Sequence, residues 1–90
     1  DKDNLVLLDI NGKEYTSTEF SNFINKELTE NSNITFIIGS SNGVSEEIKR
    51  LAQKKVSFSK LTFPHQMFRI ILLEQIYRSF KIINNESYHK

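Results

Sequence analysis

Three short apolar runs alternate with three segments of helical periodicity, and this order limits the possible folds more than any other property of the 90-residue sequence. The runs cover residues 5–8, 34–38 and 56–58 and are rich in residues that favour strands. Continuous apolar runs of this length are typical of strands that are buried on both faces of a parallel sheet. The β-α-β-α-β-α order therefore predicts a single α/β domain over residues 1–90, with a parallel sheet flanked by helices.

Turn and capping signals predict the bounds of the first two elements. Asn11-Gly12 is a strong turn signal, so the first strand is predicted to end at residue 8. Thr16 and Glu19 have the spacing of a capping box, in which each side chain binds the backbone N–H of the other residue. Apolar residues then recur at helical spacing, which predicts an amphipathic helix over residues 17–29.

The second helix is predicted to follow Ser45, whose hydroxyl can cap it. Acidic residues stand in its first turn and basic residues nearer its end, as the helix dipole favours. These residues are Glu46, Glu47, Lys49 and Arg50. Its inner face is predicted to consist of Val44, Ile48 and Leu51.

The last predicted helix is the longest, with Pro64 in its first turn and Asn84-Asn85 at its end. Between Met67 and Leu73 the only polar residue is Arg69. A helix that is apolar on all sides must be covered by protein on most of them, so we expect a subunit interface here. A parallel sheet of three strands also needs cover on both faces, so the chain is expected to be incomplete by itself.

The composition excludes several kinds of site. Without cysteine there are no disulfides or thiolate metal sites, and with two histidines no metal site is expected. No apolar run reaches the roughly 20 residues of a membrane helix, so no membrane partner is expected. Residues 1–50 contain five Lys and Arg against nine Asp and Glu, whereas residues 51–90 contain seven against two. The basic second half indicates a polyanionic partner, or simply the uneven charge of a short chain.

Two loops follow predicted strands, and ligands of α/β sheets bind at these ends. The first, residues 39–43, is bracketed by Gly39 and Gly43, and its spacing alone favours a plain strand-to-helix turn over a ligand loop. The second, residues 58–66, is long and carries hydroxyls and a lysine, which suits an adenosine-like ligand. His65 follows in this loop, where the pattern alone favours a structural hydrogen bond to a carbonyl.

Polar residues near the C-terminus form a second candidate site. Glu74 and Arg78 are four residues apart, in the order that favours an ion pair on a helix. The pair is structural by default, but an arginine there could also bind a phosphate. Tyr88, His89 and Lys90 combine a ring, a titratable group and a cation, which suits an unpaired RNA base, although most chain ends are simply frayed.

Several stretches of the chain match one family. They are Leu7-Leu8-Asp9 with Gly12-Lys13, Phe36-Ile37-Ile38-Gly39 with Asn42-Gly43, residues 57–66, Arg69, residues 73–78, Phe80, and Tyr88-His89-Lys90. On these residues the chain closely resembles the bacterial ribosomal RNA large-subunit methyltransferases that modify a pseudouridine at N3, within the SPOUT superfamily. The resemblance covers essentially the whole chain and is most specific after residue 56. It implies an α/β knot, with a C-terminal trefoil knot and with the N-terminal part of the family fold missing.

The resemblance also implies a cofactor, a substrate and an assembly. S-adenosyl-L-methionine (SAM) would lie in the knot, and no metal would take part. The residues that correspond to the family's SAM loops are Leu8, Gly39, Phe58, Ser59, Lys60, Leu61, Thr62 and Phe63. The substrate would be a pseudouridine in the 23S rRNA of the assembled ribosome, and the enzyme would be a homodimer in which each site borrows from its neighbour. The compartment would be the cytoplasm or an organelle of bacterial descent.

Roles for the C-terminal residues follow as a hypothesis from this resemblance. Tyr88 or His89 would handle the proton of N3 and stack on the base. Arg78 would position the base or a phosphate, Glu74 would orient Arg78, and His65 would only shape the SAM loop. A non-catalytic RNA- or ribosome-binding module of the same fold is the alternative. A third possibility is an interaction protein that dimerises through its last helix.

Overall fold

The computed structural model describes residues 4–39 and 45–88, which form three strands and three helices. The strands are β1 (Leu5–Glu14), β2 (Thr35–Ile38) and β3 (Lys54–Ser57). The helices are α1 (Ser17–Asn31), α2 (Glu46–Leu51) and α3 (His65–Ile83). β1 lies at the centre of the sheet and pairs in parallel with β2 and with β3. The predicted α/β class, with a parallel sheet flanked by helices, is confirmed, and the knot stays a prediction.

β1 is six residues longer than predicted, because the chain leaves the sheet and returns to it. Leu8 and Lys13 both pair with Val56 of β3, so residues 9–12 project from the strand between them. We call residues 9–12 the excursion. The turn signal locates this feature correctly, but the prediction that the strand ends at residue 8 is wrong, because pairing with β3 resumes at Lys13.

The excursion is held by one short turn and one close backbone approach. The Asp9 Oδ1 atom accepts a hydrogen bond from the Asn11 N–H at 3.0 Å. A Cβ atom on Gly12 would lie 2.7 Å from the backbone carbon of Lys55 and from the backbone nitrogen of Val56. Glycine is therefore required where the returning chain crosses β3.

α1 begins with the predicted capping box. Thr16 Oγ1 accepts from the Glu19 N–H at 3.1 Å, and a Glu19 carboxylate oxygen accepts from the Thr16 N–H at 2.9 Å. The helix ends two residues later than predicted, where Ser32 takes a left-handed φ of 66°. α1, α3 and one face of the sheet meet in a core of Val6, Phe20, Ile24, Val56 and Leu72.

α2 and β3 differ from their predictions in detail. Ser45 caps α2 as predicted, since its Oγ accepts from the Ile48 N–H at 3.2 Å. The predicted inner face is wrong for Leu51, which is 52% exposed, because the neighbouring Ala52 is buried in its place at the end of this short helix. Val44 lies outside the described residues. β3 begins two residues earlier than predicted, because its pairing with β1 already starts at Lys54, opposite Val6. The Lys54 amine lies 3.2 Å from the buried Glu27 carboxylate of α1.

α3 is amphipathic within this chain. Pro64 takes the capping position just before the helix, which ends at Asn84 as predicted. One side of α3 packs against α1 through the buried Leu72, whereas another side exposes a row of apolar side chains. We call this row the exposed stripe; it consists of Met67, Ile70 and Leu73, which are 48%, 67% and 59% exposed. The subunit interface stays a prediction. No described helix is long and apolar enough to cross a bilayer.

Candidate functional site

A cavity of about 770 Å³ lies at the carboxyl ends of the three strands, where parallel sheets bind ligands. Its volume lies within the range of small-molecule sites. The excursion, the end of β2, the loop after β3 and the start of α3 all contribute to its lining. The lining residues are Leu7, Leu8, Asp9, Ile10, Asn11, Ile38, Gly39, Lys49, Val56, Ser57, Phe58, Ser59, Thr62, Phe63, His65 and Phe68.

Six of the eight residues predicted to bind a cofactor line this cavity. They are Leu8, Gly39, Phe58, Ser59, Thr62 and Phe63. Lys60 and Leu61 belong to the same loop but not to the lining. The Lys60 amine donates to the backbone carbonyl of Ile10 at 3.3 Å, which ties the loop to the excursion, and Leu61 is 68% exposed. A role for these two residues in cofactor binding stays a prediction.

The loop after β3 is shaped by its own serines. Ser57 Oγ donates to the backbone carbonyl of Ser59 at 3.1 Å, and Ser59 Oγ accepts from the Leu61 N–H at 2.9 Å. The rings of Phe63 and Phe68 meet edge to face at 5.4 Å. These contacts hold the loop in place as one wall of the cavity.

The chemistry of the lining fits SAM. Aromatic and aliphatic side chains offer apolar surface for an adenine, and the hydroxyls of Ser57, Ser59 and Thr62 offer hydrogen bonds for a ribose. The carboxylate of Asp9 suits the positively charged amino and sulfonium groups. Among the described residues, no three His, Cys, Asp or Glu side chains are grouped to hold a metal ion.

The excursion is the part of the cavity that the sequence reasoning missed. Asp9, Ile10 and Asn11 all line the cavity, but only their turn signal was recognised. A usable signal was present, since Asp9 and Asn11 are the first polar residues after a buried strand. Lys49 of α2 was also missed as a lining residue. His65 was expected to shape the SAM loop and lines the cavity beside it.

Three of the four predicted catalytic residues lie together, Glu74 and Arg78 on the C-terminal half of α3 and Tyr88 beyond its end. Arg78 Nε donates to Glu74 Oε2 at 2.7 Å, which is the predicted ion pair. The Tyr88 hydroxyl donates to the other carboxylate oxygen, Glu74 Oε1, at 3.1 Å. The Arg78 guanidinium carbon lies 4.8 Å from the centre of the Tyr88 ring. We call Glu74, Arg78 and Tyr88 the C-terminal cluster; His89 lies outside the described residues.

The electrostatics of the C-terminal cluster favour a neutral Tyr88. The hydrogen bond to Glu74 raises the pKa of the Tyr88 phenol above its usual value, as do partial desolvation and the Glu74 charge, while the nearby Arg78 lowers it. The raising effects dominate, so the phenol, which is protonated at neutral pH even at its ordinary pKa of 10.0, holds its proton more tightly. Tyr88 is therefore suited to donate a hydrogen bond and to offer its ring, and it is a poor proton acceptor.

The cavity and the C-terminal cluster are separate within one chain. His65 and Phe68, at the start of α3, line the cavity, whereas Glu74 and Arg78 lie farther along the same helix. At 1.5 Å per residue, the nearest residues of the two sites on α3, Phe68 and Glu74, are about 9 Å apart along the helix axis. None of the three cluster residues belongs to the cavity lining.

Comparison with known proteins gives a consistent result. The sequence model described as "Predicted SPOUT methyltransferase" matches residues 1–89. A ribosomal RNA large subunit methyltransferase H from Caldicellulosiruptor bescii is 57% identical over 96% of this chain and 56% of its own length. A protein of the same name from Clostridium botulinum strain Kyoto is 55% identical over 99% of this chain and 58% of its own length. A ribosomal RNA large subunit methyltransferase H 1 from Clostridium perfringens strain SM101 is 53% identical over the same shares of the two chains.

The chain thus spans a little over half the length of the curated relatives that it matches. The match extends over nearly all of its own residues, and it includes both the cavity loops and the whole C-terminal cluster. The chain belongs to the SPOUT methyltransferase family.

Proposed function

We propose that this chain forms the SAM-binding and RNA-facing part of a methyltransferase that modifies N3 of a pseudouridine in the 23S rRNA of assembled ribosomes. The cavity carries this proposal, because three loops that are distant in sequence converge on it at the carboxyl ends of the strands. The names of the relatives, ribosomal RNA large subunit methyltransferases, support an rRNA substrate. The proposed compartment is the cytoplasm, or an organelle of bacterial descent.

SAM supplies an electrophilic methyl group on a sulfonium centre, and the residues of the chain bind and orient it. Phe58 and Phe63 provide flat apolar surface for the adenine, and the serines of the loop after β3 provide hydrogen bonds for the ribose. Asp9 attracts the positively charged end of the molecule. Holding the methyl group in one orientation toward the RNA base supplies much of the rate.

The C-terminal cluster would receive the target base. Both oxygens of Glu74 already accept hydrogen bonds, one from Arg78 and one from Tyr88, so Glu74 acts by holding these two side chains. Arg78 offers a planar cation for a carbonyl or a phosphate, and Tyr88 offers a ring for stacking. Because the Tyr88 phenol is already protonated at neutral pH, His89 is the better candidate to accept the N3 proton.

We further propose a homodimer in which the cavity of one subunit faces the C-terminal cluster of the other. The positions of the two sites on α3 support this arrangement, because none of the cluster residues lines the cavity of its own chain. The exposed stripe lies between the two sites on α3, and three adjacent exposed apolar side chains are unusual on a free helix surface. Their burial against a second copy would remove them from water.

Mixing two inactive variants tests this arrangement. Thr62→Trp fills the cavity of a subunit, and Arg78→Ala removes its cluster cation. Each homodimer should be inactive, whereas co-refolded mixtures should recover about a quarter of wild-type activity, because half of the dimers are mixed and each mixed dimer has one intact composite site. Mixtures as inactive as their parents would contradict the exchange of residues between subunits.

Methyl transfer to purified ribosomes tests the function. The protein should transfer the label of methyl-labelled SAM to 23S rRNA, and mass spectrometry of digested rRNA should find it on a pseudouridine. Arg78→Ala and Tyr88→Ala should lower turnover by at least about tenfold, since each removes a group proposed to contact the base. Lys26→Ala, an exposed change on α1, is the matched control. Ribosome binding without transfer would instead support the non-catalytic module.

A further inference from the structure

The chain reverses direction directly after α3. Asn85 takes a left-handed φ of 59°. The Glu86 N–H donates to the Lys81 carbonyl at 2.8 Å, and the Asn85 N–H donates to the Ile82 carbonyl at 3.0 Å. These two bonds form a Schellman motif, the usual device for turning a chain back across the end of a helix. Asparagine tolerates the left-handed conformation at this position better than most residues.

Side chains on the last turns of α3 then hold the reversed segment. The Lys81 amine lies 2.6 Å from the Glu86 carboxylate and 5.3 Å from the centre of the Tyr77 ring. The Tyr77 ring meets the Tyr88 ring edge to face, with centres 5.0 Å apart and planes at 87°. The contacts therefore run without interruption from Lys81 and Glu86 through Tyr77 to Tyr88.

Tyr88 depends on this arrangement for its position. It lies fourteen residues beyond Glu74, and its hydroxyl reaches Glu74 only because the chain folds back over α3. The segment near Tyr88 is polar and exposed, so apolar burial contributes little to its order. Besides the Schellman hydrogen bonds and the contacts of Tyr88 with Glu74 and Arg78, the ion pair and the edge-to-face ring contact hold this segment.

Resting on the proposed function, we propose that Tyr77, Lys81 and Glu86 are positioning residues that hold Tyr88 against Glu74 and Arg78 before RNA binds. The three residues act through Tyr88 and need not touch the reacting atoms. A preset ring and cation lower the ordering cost of RNA binding. No residue of this group was singled out by the sequence reasoning as a functional side chain.

Charge reversal at the ion pair tests the proposal. The Lys81→Glu and Glu86→Lys variants each place like charges side by side, and the double variant restores an opposite pair. Each single change should lower kcat/KM for ribosomes by roughly two- to fivefold, the range expected from an exposed ion pair. The double variant should recover most of the loss, and the Kd for SAM should be unchanged in all three. Lys26→Glu on α1 is the matched control for charge.

A second readout follows Tyr88 itself, by NMR titration of ¹³Cζ-labelled tyrosine. The hydrogen bond to Glu74 raises the pKa of Tyr88, so release of the ring should lower this pKa in both single variants. A direct effect of the new charges would have opposite signs, since an added carboxylate at position 81 raises the pKa of a phenol and an added amine at position 86 lowers it. A fall in both variants with recovery in the double variant would support the proposal.

A Tyr88 pKa that is unchanged or raised in Lys81→Glu would overturn the proposal. A double variant that recovers neither kcat/KM nor the Tyr88 pKa would also overturn it. A lowered thermal midpoint with an unchanged Tyr88 pKa would show that the ion pair only stabilises the end of α3, and it would also overturn the proposal. The titration requires no turnover. Absence of methyl transfer by the wild-type protein would therefore refute the proposed function alone.

Discussion

Replacing Gly12 with alanine should disturb both the stability of the sheet and the cavity at its edge. The added Cβ would lie 2.7 Å from the backbone carbon of Lys55 and from the backbone nitrogen of Val56, and 2.8 Å from the Lys55 carbonyl oxygen. All three atoms belong to the backbone of a paired strand, so no flexible side chain can move aside. Either β3 or the excursion must shift.

The size of the effect follows from these distances. Ordinary van der Waals contacts of a Cβ atom begin at 3.4 Å, so the backbones must separate by about 0.7 Å. Inserting a methyl group into a packed region costs about 1–3 kcal/mol, and we expect a value in the middle of that range. For a domain of this size, a loss of about 2 kcal/mol corresponds to a fall of roughly 8–16 °C in Tm. SAM affinity should fall too, because β3 and the excursion both line the cavity.

Thermal unfolding followed by circular dichroism, together with calorimetric titration of SAM, measures both effects. Asn11→Ala is the matched control for stability, because Asn11 is exposed in the same excursion and its described hydrogen bond uses its backbone N–H. Its Tm should change by less than about 3 °C. If Gly12→Ala unfolded at the wild-type temperature and bound SAM with wild-type affinity, the close crossing of the excursion over β3 would be refuted.

Three further changes test other parts of the structure. In guanidinium unfolding, Glu27→Ala should lower the free energy of unfolding by about 1–3 kcal/mol, because Lys54 loses a buried carboxylate partner. Glu27→Gln should lower the free energy of unfolding by less. Thr16→Ala removes half of the capping box and should cost about 1 kcal/mol, whereas an equal loss for the exposed Thr18→Ala would contradict this role. Burial, followed by the charge of Glu27, raises the pKa of Tyr15 above its usual 10.0. The folded state then holds the Tyr15 proton more tightly than the unfolded chain. The contribution of this proton to the free energy of unfolding is complete below pH 10.0 and is lost as pH rises through the folded pKa. Tyr15→Phe should therefore reduce the loss of stability at alkaline pH.

Elements with local signals were predicted most accurately. The start of α1 and the ion pair of α3 depend on side chains three or four residues apart, so the sequence contains the whole interaction. The bounds of β1 and β3 depend on pairing between strands about 45 residues apart in the chain. No signal near Lys13 in the sequence indicates that the strand resumes there. It resumes because Lys13 pairs with Val56, which is distant in the chain.

The same distinction applies to the candidate site. Gly39 and the loop after β3 were assigned to a cofactor site from the family resemblance, since spacing alone favoured a plain turn for residues 39–43, and the cavity at the strand ends joins them. Tyr88 was predicted from the resemblance, but its contact with Glu74 was not. That contact requires the left-handed turn at Asn85 and the ion pair beyond it, which are properties of the folded chain.

Calorimetric titration of SAM into the protein tests the central claim most directly, namely that the cavity at the ends of the three strands is the cofactor site. We predict about one SAM per chain with a Kd in the micromolar range, roughly 8 kcal/mol of binding free energy. Thr62→Trp, which fills the cavity, should abolish binding, and the exposed Thr18→Trp should leave it unchanged. The absence of binding by the wild-type protein at millimolar SAM, or unchanged binding by Thr62→Trp, would contradict the claim.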